Sequence, residues 1–166
     1  MTKRILCVIL ILPLLCGCSR PLGASDVSFY YPKAAFSYND SDGAIGVEIR
    51  NNGSISSSAR LLDLYLEGPV DEKLRNPFPE DVTTVSFYTL ENTVYVTLSD
   101  SMAVLSGASL ILACSCVGRT AMELAGVSSA QIQCENLLLD GKAAIIISEN
   151  TVFYSDTYHS SLPEVE

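Results

Sequence analysis

Leu61, Leu62, Tyr65 and Leu66 recur at the spacing of one face of an α-helix, while Arg60, Asp63 and Glu67 fall between them and can face water. Gly68 and Pro69 end this short amphipathic helix, because glycine suits the left-handed position just past a helix and proline cannot continue one. A charged segment follows, then Asn76-Pro77-Phe78-Pro79, in which each proline fixes its own φ and drives the residue before it towards an extended conformation. Phe78 thereby has a preset direction. A second, longer helix is predicted over 106–124, with Ser106 as its cap. Leu110, Cys114, Val117, Ala121 and Leu124 make a sustained apolar stripe there, Ser115, Arg119 and Glu123 lie opposite, and Gly126 stops the helix.

Outside the helices the period changes to two, the spacing of strands. Residues 27–31 have the β-branched and aromatic content of a first strand, ended by Pro32. After a turn signal at 39–43, Ile45, Val47 and Ile49 alternate with Gly46, Glu48 and Arg50, as in a short edge strand or extended loop. Serines at 54 and 56–58 offer caps for the first helix. Val85 and Phe87 alternate with Ser86 and Tyr88, and Val94, Val96 and Leu98 alternate with Tyr95 and Thr97, so each set marks one buried strand face. Glu91-Asn92 between them predicts a hairpin, with Asn accepting a positive φ. Ala130, Ile132 and Cys134 alternate with Gln131 and Gln133 as a further strand. The continuous apolar run 143–147 suits a strand covered on both faces, with 151–154 able to pair with it across Glu149-Asn150. The expected fold class is α+β: a mixed sheet with two helices packed on one face.

At the amino terminus, Lys3 and Arg4 precede a largely apolar run over 5–15, followed by small residues. The run is shorter than the roughly 20 residues a spanning helix needs. It ends in Leu15-Cys16-Gly17-Cys18, which resembles the bacterial lipobox. The resemblance implies diacylglycerol on the Cys18 thiol and cleavage between Gly17 and Cys18. The expected organisation is therefore a lipoprotein signal peptide (1–17), a tether (18–26), one domain (27–157) and a flexible tail (158–166). A plain secretory leader is the alternative, and either places the domain outside the cytoplasm.

Loss of Lys3 and Arg4 with the leader takes the formal charge from −9 to −11. A surface so acidic is repelled by nucleic acid and by anionic lipid, which excludes both as direct ligands and leaves membrane attachment to the anchor.

Three flanking segments accompany the helix stop, charged turn and Pro-bracketed Phe78. They are Val94-Tyr-Val-Thr-Leu-Ser99, Arg119-Thr-Ala-Met-Glu-Leu-Ala-Gly-Val127 and the strand at 130–133. In their order and spacing they resemble the GerMN domain of sporulation and spore-germination proteins, over about residues 27–147. The resemblance implies an extracytoplasmic, non-catalytic module found in envelope lipoproteins, with other envelope proteins as partners. It implies no cofactor, no metal and no small-molecule substrate. Gly68, Gly126, Leu62, Leu66, Val96 and Leu98 then serve the fold, and Glu67, Gly68, Pro69, Pro77, Phe78 and Pro79 form the candidate interaction surface.

Catalytic readings have little to build on. The sole histidine, His159, lies in the tail, away from any Ser or Cys motif. Cys114 and Cys116, two apart on a helix, point about 200° from each other, which spoils both chelation and a disulfide. Each reads as a small buried hydrophobe, and Cys134 could meet Cys114 across a helix–strand contact. Glu67, Asp71, Glu72, Glu80 and Asp81 form an acidic cluster around the turn, and a cell-wall-active hydrolase using those carboxylates is the rival reading.

Overall fold

The structure, a computed structural model, describes residues 26–35, 43–149 and 151. The signal peptide, Cys18, nearly all of the tether, most of the turn at 39–43, the strand expected after Asn150 and the tail lie outside these residues. Among the described residues two α-helices, α1 (Ser58–Leu66) and α2 (Gly107–Ala125), and a short 3₁₀ helix (Asp100–Val104) accompany six strands: β1 (Asp26–Pro32), β2 (Ile45–Asn51), β3 (Thr84–Leu90), β4 (Thr93–Leu98), β5 (Ser129–Cys134) and β6 (Ile145–Ser148). The fold is α+β. β3, β4, β5 and β6 form a mixed sheet in that order, antiparallel at both margins and parallel between β4 and β5, where α2 supplies the crossover.

Period two places Val94, Val96 and Leu98 beside Ala130, Ile132 and Cys134, and the first two of those beside Ile147 and Ile145. All eight are buried and face α2. α1 packs against α2 and β3. β1 and β2 form an antiparallel ribbon of their own, and β1 covers α2 from the side away from the sheet. This second cover makes α2 more buried than its stripe suggests. Ser115, expected on the solvent side, is fully buried and returns its hydroxyl to the Ile111 carbonyl. Cys116, opposite Cys114, packs with Ala44 and Leu112. Cys114, Cys116 and Cys134 are all buried free thiols.

Several local expectations change. Ser57 and Ser106 occupy the cap positions without a side-chain cap bond, and Ser58 instead donates to the Leu124 carbonyl across the helix pair at 3.1 Å. A bulge between Thr84 and Ser86 takes Val85 out of register, so it is half-exposed although Phe87 points inward. In the two-residue hairpin Glu91, not Asn92, takes the positive φ of 54°. Asn92 uses its side chain instead, accepting from Ser128 N and donating to its hydroxyl, which ties the hairpin to the entry of β5. β6 is covered on one face only: Ile145 and Ile147 are buried towards α2, while Ile146, on the other face, is 67% exposed.

β2 carries the largest inversion. Its polar positions face inward, with Glu48 9% exposed, while Val47 and Ile49 are more than half exposed. What Glu48 and Arg50 meet there organises the region of interest.

Candidate interaction surface

Gly68 follows α1 at φ 104°, and its N–H donates to the Tyr65 carbonyl. A side chain at this position would meet Asn76, whose amide donates to the Leu66 carbonyl at 3.3 Å and accepts from Phe78 N–H at 3.0 Å. Asn76 thus bolts the Pro-bracketed loop to the helix end. Phe78 is turned inward, 7% exposed, with its ring edge-on to Tyr65 at 5.4 Å. Tyr65 stacks on Tyr31 at 4.7 Å, lies against Phe29, and donates its hydroxyl to the Tyr30 carbonyl, while the Tyr31 hydroxyl donates to the Tyr65 carbonyl at 2.6 Å. Burial pushes both phenols up from their ordinary value of 10.0, which keeps them protonated as donors.

The turn at 68–71 rests on the inverted face of β2. One Glu48 carboxylate oxygen accepts from Val70 N and Asp71 N, both at 2.8 Å, and the other accepts from Arg50. Arg50 donates onward to the Gly68 carbonyl at 2.5 Å and lies over the Phe29 ring, 5.1 Å from its centroid. The pair therefore satisfies backbone donors of the turn and a backbone acceptor at the negative end of α1. Farther on, Ala34 N donates to the Lys73 carbonyl and Arg75 N to the Pro32 carbonyl, so the segment after the turn is stitched to the end of β1. Gly46 makes room for this: a Cβ there would sit 2.6 Å from Leu74 Cδ2.

Of the six residues expected to form a contact surface, Glu67 is exposed, Pro69, Pro77 and Pro79 are half-buried, and Gly68 and Phe78 are buried. The accessible feature is thus Glu67 with three proline edges, shaped from below by Phe78 and Gly68. Sequence reasoning missed Glu48 and Arg50. The signal available was an acid and a base two apart on a strand, hence on one face.

Asp71, Glu72, Glu80 and Asp81 are exposed like Glu67, and none of these five lines a cavity that is described. Among the described residues no three His, Cys, Asp or Glu side chains converge as a metal site would require. Cys114 and Cys116 are pushed up to about 12 by burial, so both stay protonated and unreactive at neutral pH.

A family model, Germane, described as sporulation and spore germination, matches residues 28–140. Among solved structures, the chain is similar to the tandem GerMN domains of the sporulation protein GerM from Bacillus subtilis. The match has 16% identity and a TM-score of 0.52, covering 74% of this chain and 45% of that one. The chain thus spans a little under half of the tandem's length, and at this identity the likeness is one of fold. A candidate lipoprotein from Clostridium perfringens is 16% identical with a TM-score of 0.47, covering 75% of this chain and 87% of that one. No curated protein matches the chain.

Proposed function

The chain belongs to the Germane family of sporulation and spore germination, and on that premise we propose that it is a non-catalytic interaction domain held by lipid on Cys18 at the outer face of the cell membrane. It contributes to a sporulation, germination or cell-envelope protein complex, with other envelope proteins as partners. The observation that carries this reading is the anchoring of the signature turn. Glu48 and Arg50 satisfy its backbone groups from beneath, leaving Glu67, Pro69, Pro77 and Pro79 as a relief of set shape. A surface whose backbone is already fixed loses less freedom on binding.

The hydrolase reading asks for carboxylates facing a substrate from a water-shielded cleft, one of them with a raised pKa. The cluster from Glu67 to Asp81 is spread over open surface instead. Two experiments test the proposal. Growth with labelled fatty acid should mark the wild type and spare Cys18→Ser; label retained in Cys18→Ser removes the anchor assignment. Affinity capture from detergent-solubilised membranes should recover envelope proteins with the wild type and lose them with Glu67→Lys at unchanged fold. Equal recovery from both refutes the surface assignment.

A further inference from the structure

A cleft of about 580 Å³ opens where the last turns of α2 meet β1 and the end of β6, lined by Tyr30, Arg119, Met122, Glu123, Val127 and Glu149, with Gly126 at its edge. The volume lies within the range of small-ligand sites, roughly 300–1,000 Å³. Much of this lining belongs to the segment 119–127, which the interaction surface described above does not use. Arg119 and Glu123 are one helical turn apart, yet among the described residues the only ion pair is Glu48–Arg50, and Arg119 donates no hydrogen bond to any other described residue. Glu149 faces the same space from the end of β6.

We infer that this cleft binds a short zwitterionic peptide, with Arg119 receiving a carboxylate and Glu123 and Glu149 receiving an ammonium group. A simple anion would meet two carboxylates beside one guanidinium, and a simple cation would meet Arg119; a ligand bearing both charges satisfies all three. The polarity along α2 agrees. Gly126 caps the helix in the left-handed conformation at φ 67°, and the negative end of the helix dipole lies there, on the ammonium side. Arg119 lies nearly two turns earlier. Tyr30 lines the cleft beside both charged residues of α2, its hydroxyl pushed up by burial and by Glu123 and drawn down by Arg119. Met122 and Val127 offer apolar surface to the ligand's carbon chain. The ligand is held and not turned over, since no nucleophile or activated base lines the cleft.

The test is an NMR titration of the full chain in detergent micelles with lysylalanine, its C-terminal amide and its diacetyl derivative, against wild type, Arg119→Gln and Glu123→Gln/Glu149→Gln. All three substituted residues lie at the surface of the cleft, and an unchanged urea midpoint confirms that each variant folds. Lysylalanine is expected to saturate the wild type with shifts centred on Gly126 and Val127. Arg119→Gln should weaken it about tenfold, the scale of one lost charge-assisted contact. The amide should bind wild type and Arg119→Gln equally, and the diacetyl form should be indifferent to the Glu substitutions. Absence of saturable binding, shifts centred elsewhere, or equal affinity of lysylalanine for wild type and Arg119→Gln would overturn the inference.

Discussion

Replacing Glu48 by Gln removes one charge while keeping the shape of the side chain, and so isolates what the inverted face of β2 contributes. The Glu48 and Arg50 side chains are 9% and 14% exposed, which puts the pair near the buried limit, where loss of one partner costs about 3–5 kcal/mol. The amide of Gln offers one acceptor and one donor where the carboxylate offered two acceptors, so either the Val70 and Asp71 amides or Arg50 must lose its partner. Residual solvent access lowers the cost, and about 3 kcal/mol is expected. Arg50→Met leaves the carboxylate uncompensated and removes the contact over Phe29 and the bond to the Gly68 carbonyl, for about 3–4 kcal/mol. The double variant should cost at least about 1.5 kcal/mol less than the sum, because each single variant strands the other partner. Urea denaturation followed by circular dichroism reads all three, since the chain has no Trp to report by fluorescence. Additive costs, or less than about 1 kcal/mol for Glu48→Gln, would show that the pair is a surface ornament.

Two further outcomes follow from the packing. At Gly118 a Cβ would lie 2.7 Å from Ile147 Cγ1 and 2.9 Å from its Cβ, so Gly118→Ala must displace β6. The overpacking, about 1–3 kcal/mol, should outweigh the gain of roughly 1 kcal/mol from alanine in a helix, and a rise in the urea midpoint would contradict this. Stability should also fall in alkali. Cys114 and Cys116 ionise at about 12 in the fold against 9.0 ordinarily, and the Tyr31 and Tyr65 phenols are raised too. Between these values the unfolded chain releases protons that the fold retains, so their contribution is complete below pH 9 and is lost as pH rises towards 12. Urea midpoints should decline over that window, less steeply in Cys114→Ala/Cys116→Ala; a flat profile would contradict the burial of these groups.

The sequence announces the core of the mixed sheet because period two and a one-sided cover suffice there. Val94, Val96, Leu98, Ala130 and Ile132 need no distant information to find their face. The α2 stripe is legible for the same reason, while the burial of Ser115 is not, since nothing in the local period announces cover on the face opposite the stripe. β2 shows the limit most clearly. Alternation separates Val47 and Ile49 from Glu48 and Arg50 but does not say which pair points in. That choice is made by backbone groups 18–23 residues downstream, the Gly68 carbonyl and the Val70 and Asp71 amides. Phe78 was legible as a fixed residue, but its direction depends on Tyr65 and on Asn76, which turns it beneath the loop.

A photoreactive side chain placed at position 67 of the full chain in living cells asks whether the exposed rim of the turn after α1 touches another protein. A covalent adduct with an envelope protein is expected from position 67, and none from the same group at Lys142, on the loop between β5 and β6. An adduct from position 142 with none from position 67 would contradict it.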